Sequence, residues 1–229
     1  QRRRVLRWCA LAPRDGLHHG LGLGGVGRRA APHGEGVVGV QAGAAAVATA
    51  TAHGYSDLDP VLIASGWEDA NDTIWEVDSQ TADTFNITGL DSSSTTYYPA
   101  GSGVGTASKV SSWVEIPQIL TIASNGGGPK YNTVSPLATR NDIKVPVGFE
   151  ASSIDLEIGY DPTNAVQAAM AGITRAFTKV ALKLVVPGGG RLYGYGNLLL
   201  SEVPKLNKGS AITKAASISM DGRMVGYGA

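Results

Sequence analysis

The chain has 229 residues, 43% of them hydrophobic, and its 19 basic and 19 acidic side chains cancel at neutral pH. That length bounds the architecture to one well-cored domain plus a smaller insertion. A lone cysteine, Cys9, excludes an intramolecular disulfide framework and fits a reducing cytoplasm, and no apolar run reaches the roughly 20 residues a bilayer-crossing helix needs, so no membrane role is expected.

The charge is unevenly spread. Residues 1–45 hold seven arginines against Asp15 and Glu35, a local charge of +5, which leaves −5 for the remainder. Gly and Arg dominate this stretch, His18, His19 and His33 take three of the chain's four histidines, and no helical or strand period survives the glycines. Residues 1–45 are therefore expected to be a flexible or atypical N-terminal arm. Gln1, Arg2, Arg3 and Arg4 look like the positive end of a signal peptide, but the apolar stretch 5–12 is broken by Arg7 and closed by Pro13 and Arg14, so secretion is not expected. The abrupt change of composition near Ala44 is also what a misassigned start or a shifted reading frame would produce.

Residues 46–111 read as a small all-β surface module. Strands are predicted over 47–51, 61–64, 74–77 and 84–88, with a turn at His53 and Gly54, a strand start at Asp59 and Pro60, and a loop from Gly89 through Asp91 and Ser92. The Gly- and Ser-rich stretch 102–112 is predicted as its return linker. Between Tyr55 and Ser108 there are nine carboxylates and no Lys or Arg, so the module is strongly acidic.

The third region, 112–229, opens on Trp113 and a β-prone run over 113–122 in which Pro117 marks a bulge or an edge. A connection of about 30 residues follows, longer than a compact domain usually holds without a purpose. Gly126, Gly127 and Gly128 lie at its start, and Lys130, Arg140 and Lys144 make it basic. Over 154–160, Ile154, Leu156, Ile158 and Tyr160 alternate with Asp155, Glu157 and Gly159, the period of a half-buried strand. Asp161 is expected to cap a helix with Pro162 at its first position; Ala165, Val166, Ala168, Ala169 and Met170 form its face and Gly172 its end. Strands over 177–186 and 192–203 then form a hairpin around the turn 187–190, and a last strand covers 215–220.

Candidate chemistry is sparse, and each instance has a plainer structural reading. His53 with Asp57 and Asp59 fits no ligand or acid–base spacing and reads as a turn. Glu68, Asp69 and Asp72 lack the glycine-centred loop of a calcium site and read as a solvated face. Gly126 to Gly128 and Gly188 to Gly190 lack the Lys-Ser/Thr ending of a phosphate loop. Cys9 has no matching base, and the carboxylates are not paired across a groove as glycoside hydrolysis would require. Trp67, Trp75 and Trp113 read as packing rather than a base-stacking platform. No catalytic residue, metal or cofactor is expected.

The strand, turn and helix over 155–170, with the tryptophan-led strand from Trp113 to Ile119 upstream, resemble the major tail tube proteins of long-tailed, siphovirus-type phages such as lambda. The stretches 50–63 and 84–91 resemble a small all-β module that some members carry inserted before the tryptophan strand. The resemblance implies a mainly β (α+β) fold: a tail-tube β-sandwich with one short flanking helix over 112–229, plus the inserted module. It implies a structural subunit, not an enzyme, that forms hexameric rings stacked into a tube whose lumen conducts DNA during ejection. Its partners would be further copies of itself, the tail tape measure protein and the terminator and tip proteins; it would be found in the virion tail, and in the host cytoplasm during assembly. Asp155 and Glu157 become candidates to face the lumen, and Lys130, Arg140 and Lys144 candidates for an inter-ring loop. A net acidic conduit suits passing DNA, because each neutralised phosphate would add affinity that retards passage. The acidic module is then expected outside the bore. The alternative is a secreted or surface-exposed β-sandwich binding protein, or a secretion-system tube homologue.

Overall fold

The computed structural model describes residues 5–10, 36–110, 112–137, 140–186, 189–206, 209 and 211–228, the stretches 5–10 and 36–38 by backbone alone. In chain order the first strands are β1 (Val5–Ala10), β2 (Gly36–Gln41), β3 (Ala46–Thr49), β4 (Pro60–Ser65), β5 (Thr73–Asp78), β6 (Thr84–Ile87) and β7 (Val104–Lys109). There follow β8 (Val114–Glu115), β9 (Ile119–Asn125), β10 (Pro129–Val134), β11 (Ile143–Phe149), β12 (Ser153–Gly159) and the helix α1 (Ala165–Ala176). The last strands are β13 (Lys179–Val185), β14 (Arg191–Leu200), β15 (Thr213–Met220) and β16 (Val225–Tyr227). Two compact units result: one from Gln1–Glu115, Val180–Tyr195 and Gly222–Ala229, the other from Ile116–Lys179 and Gly196–Asp221.

In the first unit, six antiparallel strands close into a barrel in the order β2-β3-β6-β5-β4-β7, with β7 completing the ring onto β2. Closure leaves no free edge, which a strand set this short could not otherwise protect. Trp67, Trp75 and Phe85 fill the interior against the small side chains of Ala46, Ala48 and Ala107. At Gly105, in β7, a Cβ would fall 1.8 Å from the Ala64 carbonyl oxygen, so only glycine lets β4 and β7 approach. The stretch 102–112, predicted as a linker, therefore contains a barrel strand: its Gly and Ser residues allow close approach rather than flexibility. β2 is the other barrel strand missed, and with β1 it lies inside the segment 1–45 that the sequence reads as an arm. Glycine spacing hid its apolar pattern, whereas pairing with β3 and β7 supplies the order. The remainder of that arm prediction lies outside the described residues.

The same unit holds β8, β1, β13 and the first half of β14, with β16 added to β14. β5 is buried on both sides up to Val77. Trp75 and Val77 point into the barrel, while Ile74 joins Leu62, Val110, Ala181, Tyr193 and Tyr195 in a second apolar cluster. β16 escaped prediction because three residues carry too little pattern for period 2.

In the second unit β12 lies between β9 and β15, and β15 pairs with the second half of β14. Ile154, Leu156 and Ile158 are buried as the alternation predicts, with Leu198, Leu200, Ala216, Ile218 and Met220 from β14 and β15 also buried. The run 113–122 is broken at Ile116, Pro117 and Gln118, the last with φ +57°, as expected of Pro at an interruption. The connection 123–153 is no open loop: β10 and β11 pair antiparallel from Val134↔Ile143 to Pro129↔Phe149, with a bulge after Lys130.

The helix corrects the sequence reading at both ends. Asp161 spends its carboxylate within its own turn, accepting from the Thr163 amide at 2.9 Å and the Thr163 hydroxyl at 2.7 Å. These bonds hold the Asp161 carboxyl below the usual carboxylate range. The N-cap is Asn164, whose Oδ1 accepts from Val166 N at 2.9 Å and Gln167 N at 3.4 Å. Gly172 lies inside the helix, which ends at Phe177 in the left-handed region, φ 50°. A tertiary anchor explains the extension: Thr174 Oγ1 donates to the Leu198 carbonyl at 3.3 Å and accepts from Leu200 N at 2.9 Å, satisfying two backbone groups of β14.

Candidate functional site

On β12 the side chains of Asp155 and Glu157 stand on the face opposite Ile154, Leu156 and Ile158, half-exposed. Asp155 accepts from Ser217 Oγ at 2.6 Å and from Asn125 Nδ2 at 2.6 Å, one partner on each neighbouring strand. Glu157 accepts from Thr213 Oγ1 at 2.8 Å and lies 3.6 Å from Lys205 Nζ. Strand register places Ser153, Ser217, Ser219, Thr121 and Ala123 on the same face. The result is a largely polar surface of hydroxyls and small side chains, interrupted by the exposed Leu199 of β14 opposite Ser217; among the described residues the hydrogen-bond partners of Asp155 are neutral.

Lys130 and Lys144 sit on β10 and β11, and Arg140 lies in the segment joining them. Every residue of both strands is exposed. The hairpin is not simply basic: Tyr131 is 52% exposed and Phe149 80%, and Val134, Ile143, Val145 and Val147 are exposed too. A two-stranded hairpin is marginal in water by itself, and one with apolar residues on both faces is built to be covered. Gly126 and Gly127, both at positive φ, let its base close, where Glu150 N donates to the Gly128 carbonyl at 2.8 Å.

The other sequence candidates do not converge. His53 is buried against Tyr55 and Phe85 and its Nδ1 accepts from Tyr55 N at 3.0 Å, while Asp57 accepts from Gln80 N at 3.1 Å and Asp59 pairs with Lys109. Asp69 accepts from the Tyr98 hydroxyl at 3.0 Å and Asp72 from Asn71 Nδ2 at 3.3 Å. Among the described residues no group of three or more His, Cys, Asp or Glu side chains is placed to hold a metal ion, and no helix is long and apolar enough to cross a membrane. Trp67 and Trp75 are buried, and Trp113 packs near Tyr193 with Lys183 5.8 Å above its ring. The Cys9 side chain, His18, His19, His33 and Gly188 lie outside the described residues.

One cluster was not legible in advance. Glu76, 2% exposed, accepts from the Tyr193 hydroxyl at 2.9 Å and from Arg191 Nη2 at 3.3 Å. Burial and then the Glu76 carboxylate push the Tyr193 hydroxyl well up, and burial pushes that of Tyr227 up to about 12. The only hint in the sequence is a lone carboxylate within the otherwise buried run Thr73 to Val77.

A β protein with an exposed, unpaired hairpin and a largely polar sheet face has the parts of a structural subunit that associates through its surfaces. Residues 65–229 match the family model of the phage tail tube protein, TTP, and the chain belongs to this family. It is thus a structural component of the phage tail, in the virion, and assembles with copies of itself. No curated protein matches the chain. Among solved structures it is similar to the SPP1 tail tube, solved as a hybrid of solid-state NMR and cryo-EM, at 15% identity over 52% of this chain and 70% of that one, with a TM-score of 0.40.

Proposed function

We propose that this subunit forms hexameric rings, stacked into a hollow tube whose lumen conducts DNA during ejection, and that Asp155 and Glu157 face that lumen. The observation that carries the reading is the polar face of β12. Its carboxylates are held by Ser217, Asn125 and Thr213, and among the described residues the cation paired with them is Lys205. Such a wall offers a polyanion few cations to release counterions against, so DNA slides rather than binds. The hairpin of β10 and β11, with Lys130, Arg140 and Lys144, reaches an adjacent ring in this reading; stacking there buries its apolar residues and propagates the filament by an open, heterologous contact. The acidic barrel module stays outside the bore, since one in every subunit would obstruct passage.

Assembly takes place in the host cytoplasm around the tail tape measure protein and ends on the terminator and tip proteins. Negative-stain electron microscopy of the purified protein tests the core of the proposal. Striated tubes with sixfold end-on views and a stain-filled bore are expected. A dispersion of monomers under all conditions of salt and concentration would favour a binding protein instead.

A further inference from the structure

The barrel has a seam. β5 and β6 pair at Val77↔Ile87 and Asp78↔Asn86. Just beyond, Thr88 N donates to the Glu76 carbonyl at 3.0 Å. The next rung is made by a side chain: the Tyr227 hydroxyl accepts from Glu76 N at 3.0 Å and donates to the Thr88 carbonyl at 3.0 Å. One phenol thus stands where a backbone pair would complete the ladder, and it satisfies a donor and an acceptor that would otherwise be left unpaired.

The Glu76 side chain lies at the same place. A carboxylate this buried is costly unless donors surround it, and its donors are Arg191 and Tyr193. Arg191, Tyr193 and Tyr227 come from one strand pair, in which Arg191 lies opposite Tyr227 and Tyr193 opposite Val225. The chain leading into β16 follows β5 closely: a Cβ at Gly222 would fall 2.4 Å from the Asp72 carbonyl oxygen, and the Arg223 guanidinium lies 5.7 Å from the Trp75 ring centre.

We propose that β14 and β16 act as a latch on the barrel, Tyr227 supplying the missing rung and Arg191 with Tyr193 compensating Glu76, so that the seam closes only when the C-terminal strand is in place. The barrel is then not an autonomous module. Its last closing contact is encoded 139 residues after Thr88 and 151 after Glu76. A latched seam also means that strain on β16 is felt between β5 and β6.

Amide hydrogen exchange on the full-length chain tests this, comparing Tyr227→Phe with Tyr98→Phe. The second variant loses a tyrosine hydroxyl of the same barrel, bonded to Asp69 at 3.0 Å, away from the seam. Loss of the Tyr227 rung is expected to speed exchange of the Glu76 amide about tenfold or more, the equivalent of one buried amide left unpaired, while Tyr98→Phe leaves that amide unchanged. Failure of Tyr227→Phe alone to fold has the same meaning. Full protection of Glu76 in Tyr227→Phe, equal acceleration in both variants, or loss of the fold in both alike would overturn the latch.

Discussion

The Gln167 side chain joins the end of β12 to the start of α1: its Nε2 donates to the Gly159 carbonyl at 2.6 Å, and its Oε1 accepts from the Asp161 amide at 3.2 Å. The Gly159 carbonyl belongs to the last residue of β12 and the Asp161 amide precedes the helix, at the junction where the regular bonding of strand and helix runs out. A buried amide with both ends bonded fixes the direction in which the helix leaves the sheet. The same turn carries Asn164 as cap and Asp161 as its own internal bond, three polar residues dividing one task.

Gln167→Leu is expected to destabilise the protein by about 2 kcal/mol, because it keeps the volume but leaves the Gly159 carbonyl and the Asp161 amide unpaired. Asn164→Ala should cost about 1 kcal/mol and Asp161→Ala less, the reverse of what capping by Asp161 would give. Urea denaturation of the three variants checks the order; equal losses for Asn164 and Asp161 would contradict the capping assignment.

Polar replacement of two hairpin residues, Tyr131→Ser with Phe149→Ser, should change subunit stability by about 0.5 kcal/mol or less, since both side chains are exposed. Tube formation should nonetheless be lost, because the apolar surface would have nothing to contribute on burial. Sedimentation of the variant beside the parent chain, with a thermal melt of each, separates the two effects; tubes of normal yield would remove the hairpin from the assembly contact.

Asp155→Lys combined with Glu157→Lys should leave tail length normal and slow DNA ejection by about tenfold at low salt, with recovery as salt rises, since phosphate contacts weaken steeply with ionic strength. Asp155→Asn with Glu157→Gln serves as the control for lost hydrogen bonds. Tail length is read by microscopy and ejection by release of labelled genome from phage carrying the variant; unchanged ejection at every salt concentration would exclude these two residues from the lumen.

Alkaline stability should reveal the buried phenols. Tyr55 and Tyr227 are each pushed up from 10.0 to about 12, chiefly by burial, with Asp59 adding to the effect at Tyr55. Above about pH 10 the unfolded chain releases protons that the folded chain keeps. Stability from these groups is therefore complete below about pH 10 and lost as pH rises through about 12. Denaturation midpoints should hold steady up to about pH 10 and then fall, and Tyr227→Phe should fall less steeply across that window; parallel curves would show that Tyr227 is not protected.

Some of this was open to reading along the chain, because local periodicity records which face a residue buries. Ile154, Leu156 and Ile158 alternate with Asp155 and Glu157, and the buried and exposed sides follow. So did the strands around Val61, Ile74 and Phe85, the break at Pro117, and the acidity of the region that forms the barrel. The hairpin of β10 and β11 was legible only as an overlong basic stretch, since its apolar residues face nothing within the described chain and carry no burial pattern.

What folding alone decided are the relationships between distant residues. Gly105 looks like linker until β7 must lie against β4, and Gly172 looks like a helix end until Thr174 is anchored on β14. Glu76 looks like a solvated acid until Arg191, 115 residues away, and Tyr193 enclose it. The amino-acid sequence by itself determined the strands with clear alternation, the distribution of charge and the motifs that resemble tail tube proteins, because each depends on neighbours a few positions apart. The tertiary structure decided barrel closure, the ends of the helix and the burial of Glu76, because a hydrogen bond or a desolvated charge depends on its partner in space, and that partner's position in the chain leaves no local trace.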